Sequence, residues 1–127
     1  MKQYLFDTTL IIDALRNRVK TVSFLNSLPE VPISAVTAGE SYQGARDKKD
    51  LLQIEDFIAR HCKVIALNEN ISAVSLQLIK TYTLSSGLFI ADALIAATAM
   101  TEDLVLLTGN MKHFQKIKAL KVESWNS

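Results

Sequence analysis

Short apolar runs alternate along this chain with longer stretches whose apolar residues recur every three or four positions. Gln3–Phe6 is a compact apolar strand halted by Asp7. The stretch "TTLIIDALRN" sets Leu10, Ile11, Ala14 and Leu15 at helical spacing, with Thr8 or Thr9 as its cap. "KTVSFLNSL" reads as a second short helix through Val22, Phe24, Leu25 and Leu28. Val31–Ile33 is a minimal strand, after which Ser34 caps a helix running toward Arg46. "KKDLLQIEDFIARH" is amphipathic, with Leu51, Leu52, Ile54, Ile58 and Ala59 expected to face inward. Cys62–Leu67 is the next strand, and "NISAVSLQLIKTY" carries Ile71, Val74, Leu78 and Tyr82 on one helical stripe. Ser85-Ser86-Gly87 reads as a turn, and "GLFIADALIAATAM" as the following helix. Asp103–Thr108 is a strand, "NMKHFQKI" a short helical turn, and "ALKVESW" a final edge strand.

Strands separated by helices imply an α/β fold: a mostly parallel sheet of four to five strands with helices on both faces. A chain of 127 residues without repeats or Gly/Ser linkers suits one domain over residues 1–127. In such folds the working crevice lies at the carboxyl ends of the strands. That rule directs attention to the polar residues just past each strand.

Composition narrows the partners little. Apolar residues are 49% and charged residues 21%, as in ordinary soluble domains, and the net charge is +1. A nucleic-acid binder of this charge has to concentrate its basic groups locally. Cys62 is the only cysteine, so an internal disulfide is excluded and a reducing cytoplasm is the expected compartment. Asp7 interrupts the apolar N-terminal run, which does not follow a signal-peptide pattern. The Leu88–Ala99 stretch is too short, and carries a charge, for a membrane span.

Asp92 is the one charged group between Gly87 and Met100. A lone carboxylate in an apolar helix is expensive to bury unless something compensates it. Asp7 follows the first strand directly, and Asn110 follows the fourth by a two-residue turn. Glu40 lies about two turns into the helix after the second strand. In an open parallel sheet these positions can converge. Three carboxylates and an amide oxygen are hard donors suited to Mg²⁺ or Mn²⁺. Neither histidine has zinc-site spacing to the other or to Cys62.

Each residue also has a plainer reading. Asp92 can be an N-cap, although Ser85, Ser86 and Gly87 offer an earlier helix start. Thr37-Ala-Gly-Glu40 fits a capping box, which would turn Glu40 back to the backbone. A start at Ser34 leaves it free instead, and spacing alone does not decide between the two. Asp7 can cap the first helix in competition with Thr8 and Thr9. Gly109-Asn110 is common turn chemistry. Asp13 is expected on the solvated side of its helix, and His113 reads as a surface or helix-end residue.

The segments "FDTTLIIDAL", "ISAVTAGESYQGA", "GLFIADALIAATAM" and "LLTGNMKHFQKI" resemble the PIN-domain family, and within it the VapC-type ribonuclease toxins. The resemblance spans nearly the whole chain, and the third segment is its most specific part. It implies a PIN-like three-layer fold and matches Asp7, Glu40 and Asp92 to the family's acidic metal positions. The fourth position, often aspartate, falls on Asn110. Thr8 matches the small hydroxyl residue after the first aspartate, and Thr108 opens the fourth motif. An amide adds no charge, which weakens a second metal position, and Gly109 stands where such toxins often carry arginine. The resemblance further implies Mg²⁺- or Mn²⁺-dependent RNA hydrolysis, a homodimer and a cognate antitoxin. Arg16, Arg46, Lys48, Lys49 and Lys112 are candidate backbone contacts to RNA. Tyr42, Phe24 and Leu28 are candidate groove residues for the antitoxin.

Rival readings fare worse on the residues. A haloacid-dehalogenase-type phosphatase wants a second aspartate two positions after the first, and Asp7-Thr8-Thr9 offers threonine. A receiver domain wants its acceptor after the third strand, where "VIALNEN" has no aspartate. A catalytically inactive PIN-like interaction module remains compatible with Asn110.

Overall fold

The structure is a computed structural model and describes residues 2–126. The strands are β1 (Tyr4–Phe6), β2 (Val31–Ser34), β3 (Cys62–Ile65), β4 (Val105–Thr108) and β5 (Val122–Ser124). The helices are α1 (Thr8–Leu15), α2 (Val19–Asn26), α3 (Ala35–Gln43), α4 (Lys48–His61), α5 (Glu69–Ser86) and α6 (Ile90–Thr101). A 3-10 turn, Met111–His113, leads from β4 toward β5.

Every strand pair recorded among the described residues is parallel. β4 pairs with β1 on one side and β5 on the other, and β2 pairs with β3. β1 also lies beside β2, so β1 and β4 form the middle of the layer. The chain runs outward from β1 in one direction through β2 and β3, then returns to β4 and β5 on the other side. The crevice of such a sheet opens where that direction reverses, at the ends of β1 and β4.

Strand alternation divides the core into two layers. Leu5 and Leu106 face one cluster with Ile71 and Leu78 of α5 and Ala93, Ile95, Ala96 and Ala97 of α6. Their neighbours Phe6 and Leu107 face the opposite cluster with Leu10 and Ile11 of α1, Leu25 of α2 and Ile54 and Ile58 of α4. Adjacent strand residues point to opposite faces, so "LF" in β1 and "LL" in β4 each supply both layers. Helices therefore cover both faces, as the α/β pattern implies. Ala93, Ala96, Ala97 and Ala99 are fully buried, and their small side chains bring α6 close against α5.

Three local expectations change. Ser85 and Ser86 belong to α5; the chain turns at Gly87 alone, whose φ of 61° is the left-handed conformation that glycine adopts without steric penalty. The hydroxyl of Ser86 folds back onto the Tyr82 carbonyl at 3.1 Å, which suits it to the last helical turn. In α4 only Ile54 and Ile58 are buried, while Leu51, Leu52 and Ala59 are exposed. The layer beneath α4 reaches just the i, i+4 pair, so the wider apolar stripe is left at the surface. Asp7, rather than Thr8 or Thr9, is the N-cap of α1, its carboxylate accepting from the Thr9 amide.

Candidate active site

The polar crevice is built from the ends of β1 and β4 and the adjoining helices. Asp7 leaves β1 still tied to the sheet, its amide donating to the Leu107 carbonyl at 3.1 Å. Its side chain is buried. Oδ1 accepts from the Thr9 amide at 3.0 Å and from the Thr9 hydroxyl, and Oδ2 accepts from the Thr108 hydroxyl at 2.5 Å. Burial pushes the Asp7 carboxyl above the ordinary aspartate range, and these hydrogen bonds pull it part of the way back. Thr108 Oγ1 also accepts from the Asn110 amide at 2.9 Å, and Thr9 Oγ1 accepts from the Gly109 amide at 2.8 Å. The two threonines thus join the exits of β1 and β4 around one carboxylate.

Glu40 projects from α3. The helix starts at its N-cap Ser34, whose hydroxyl accepts from the Val36 amide at 3.0 Å. Glu40 is therefore past the first turn, and the capping-box alternative is set aside. Its Oε1 accepts from the Thr8 hydroxyl at 2.6 Å, and the Thr37 hydroxyl lies 3.1 Å from the same Thr8 oxygen. Thr8 thereby ties α1 to α3 at the crevice.

Asp92 lies in the first turn of α6 and is not its cap; Phe89 holds that position without a side-chain hydrogen bond. The carboxylate is mostly buried, and Oδ2 is 3.1 Å from His113 Nδ1. Burial raises the Asp92 carboxyl above its ordinary value. His113 opposes the rise, and the negative charges of Glu40 and Asp7 add to it. Asp7, Glu40 and Asp92 thus share one electrostatic field. Asn110 enters through His113, its Nδ2 lying 3.1 Å from His113 Nε2.

His113 is exposed at the end of the 3-10 turn, as expected, but its contact with Asp92 was not anticipated. Its spacing of three from Asn110 was the available signal, but its partner Asp92 lies in a distant part of the chain. Thr9 was also underrated, having been weighed only as a cap. Of the five basic candidates, Lys112 lines a cleft of about 80 Å³ beside Asp92, together with Phe89, His113 and Lys116. Arg46 instead pairs with Asp50 at 3.4 Å. Of the groove candidates, Tyr42 is exposed, Phe24 is partly buried and stacks on Trp125, and Leu28 is partly buried at the edge of the second core layer. The larger cavity, about 420 Å³, opens at the opposite, amino ends of the strands beside Tyr4, Pro32, Lys63 and Leu104. It is remote from the carboxylates.

Among the described residues, no three carboxylate, imidazole or thiol groups are gathered closely enough to form a closed cation cage. Asp92 is turned onto His113, and Glu40 onto Thr8. The donor set nevertheless suits a hard divalent cation. Its carboxylates come from three separate elements into one crevice; burial disfavours the charged forms of Asp7 and Asp92, and at Asp92 the charges of Glu40 and Asp7 add to this. A cation relieves both. Among the described residues no helix is long and apolar enough to cross a membrane.

Comparison with known proteins finds relatives over nearly the whole chain. The sequence profile of the PIN domain matches residues 4–120. The chain is 32% identical to "Ribonuclease VapC19" of Mycobacterium tuberculosis, over 87% of this chain and 90% of that protein. It is 29% identical to "Ribonuclease VapC2" of Haemophilus influenzae, over 98% and 99% of the two. Among solved structures, VapBC-1 from nontypeable Haemophilus influenzae superposes with a TM-score of 0.80 at 28% identity, over 98% of each chain.

Proposed function

The chain belongs to the PIN-domain family, beside its VapC ribonucleases, and on that premise we propose that it is a Mg²⁺- or Mn²⁺-dependent endoribonuclease, the toxin of a toxin–antitoxin pair. The observation that carries the metal-dependent reading is the shared field of Asp7, Glu40 and Asp92 at the ends of β1 and β4. Such a group holds a divalent cation where an RNA phosphate can approach.

When bound, the ion supplies Lewis acidity toward water and toward the scissile phosphate. Asp7 and Asp92 would be its carboxylate ligands in this crevice. The hydroxyls of Thr9 and Thr108 fix the orientation of Asp7, leaving it little rotational freedom to lose on binding. Glu40, aimed by Thr8, holds the ion or accepts a proton from the attacking water. Asn110 adds no charge to the set. Lys112 and Lys116, exposed beside Asp92, neutralise RNA phosphates, a contact that weakens with salt and carries little sequence information.

RNA, an antitoxin protein and a second copy of this chain are the proposed partners, and a reducing cytoplasm the proposed compartment. A catalytically inactive PIN-like interaction module is the second reading, favoured by Asn110 in place of a carboxylate. Incubation of total RNA with the protein and Mn²⁺, beside Asp92→Asn and beside EDTA, separates the two. Cleavage abolished by both treatments, with the fold intact, supports the nuclease. Cleavage that survives either one, or none by the wild type, rejects it.

A further inference from the structure

His113 spans the gap between Asp92 on α6 and Asn110 after β4. Its Nδ1 is 3.1 Å from Asp92 Oδ2, and its Nε2 is 3.1 Å from Asn110 Nδ2. A carboxylate only accepts, so Nδ1 carries the hydrogen. In the neutral imidazole Nε2 is then an acceptor, and the amide of Asn110 is its donor. One tautomer satisfies both contacts. The 3-10 turn produces this arrangement: residues three apart lie on one side of such a turn, and the His113 amide donates to the Asn110 carbonyl at 3.2 Å. Phe114, buried in the layer beneath α5 and α6, anchors the turn.

We propose that His113 is a positioning residue that fixes the Asp92 carboxylate for the cation, and that Asn110 acts through His113 rather than as a ligand. This rests on the metal-dependent reading above. A carboxylate at the edge of solvent has more than one orientation; the Nδ1–H bond selects one, and the Asn110 amide selects the tautomer that makes the bond. Groups that orient metal-binding carboxylates typically change affinity by about 10- to 100-fold when removed.

Mn²⁺ binding by isothermal titration calorimetry at one fixed pH tests this without relying on turnover. His113→Ala weakens Mn²⁺ binding by about 10- to 100-fold. Its melting temperature in EDTA stays near that of the wild type, because His113 is exposed. Asn110→Ala weakens binding less, and adds nothing when combined with His113→Ala, because its effect passes through the imidazole. His113→Asn, whose Nδ2 overlays the imidazole Nδ1, restores most of the affinity. His113→Ala with wild-type affinity overturns the proposal. So does an Asn110→Ala loss that persists in full in the His113→Ala background, since Asn110 then contacts the ion itself. A wild type that binds no Mn²⁺ at all overturns the metal reading, and this inference with it.

Discussion

Thr108 donates a 2.5 Å hydrogen bond to Asp7 across 101 residues of sequence, closing the exit of β4 onto the exit of β1. Both residues are buried. Thr108→Val keeps the shape and removes the hydroxyl, leaving one oxygen of a buried carboxylate without its donor. The expected loss is about 1–3 kcal/mol, read by urea denaturation, because an unsatisfied charged acceptor costs more than an ordinary hydrogen bond. Thr108→Ser, which keeps the hydroxyl, stays close to the wild type. Equal stability of the two variants refutes the role assigned to this bond.

The stability of the ion-free protein should fall as Asp7 ionises. Burial raises the folded-state pKa of Asp7 above its unfolded value. For a raised acid, the stabilising contribution is complete below the unfolded pKa and is lost as pH rises through the folded pKa. Asp92 is shifted in the same direction. Asp7→Asn keeps an acceptor for the α1 cap and removes the charge. In EDTA at pH 7.5 it should melt above the wild type by a few degrees, roughly the effect of 1 kcal/mol in a domain of this size. The gap should close on acidification through the raised pKa. A variant that melts below the wild type at neutral pH contradicts the sign.

Which parts of this arrangement a sequence displays depends on how local their causes are. The two-layer core was legible because strand alternation is local: Leu5 against Phe6 and Leu106 against Leu107 already assign two faces. Asp7, Glu40 and Asp92 stood out because each is polar at a strand exit or in an apolar helix. Their partners were not legible. Thr8 meets Glu40 across 32 residues, and nothing near either position reports the contact. The start of α3 was ambiguous because Ser34 and Thr37 are both competent caps; the Ser34 hydroxyl takes the Val36 amide, while that of Thr37 meets Thr8. Leu51 and Leu52 fit the helical stripe, but the extent of the layer below α4 is a tertiary property.

Gly109 is a tight point of the site. A Cβ placed there would lie 3.0 Å from Thr9 Oγ1 and 3.3 Å from Thr9 Cβ. Thr9 is held in place by the Gly109 amide and by its bond to Asp7, so it yields only by loosening the Asp7 cap. Gly109→Ala should therefore cost about 1–3 kcal/mol in stability, as overpacking does. It should also reduce RNA cleavage more than the stability change accounts for at 25 °C, where the variant remains folded. Melting curves and initial rates on the same preparation check both parts.

Cys62, at the junction of α4 and β3, should be chemically quiet. Burial pushes its thiol up to about 12, so the thiolate fraction at pH 8 is very small. Iodoacetamide at pH 8 should label the native protein at least about 100-fold more slowly than the urea-unfolded chain, since only the thiolate reacts. Rapid labelling of the folded protein would contradict the burial seen at this position.

Glu40 and Thr8 offer the sharpest separation of site chemistry from stability. Thr8 Oγ1 donates to Glu40 Oε1 at 2.6 Å, and both side chains are partly exposed, so water can replace the bond in the folded protein. Thr8→Val should accordingly shift stability by less than about 1 kcal/mol, the net worth of one solvent-accessible hydrogen bond. Catalysis is more sensitive to angle than stability is, because a misaimed group loses the benefit of a fixed orientation. The expected result is a kcat lowered by about 10-fold, with KM nearly unchanged because the Thr8 hydroxyl is committed to Glu40. Thr8→Ser should recover most of the rate. If KM rises while kcat holds, Thr8 serves substrate binding instead, and the orientation of Glu40 is not what this threonine provides.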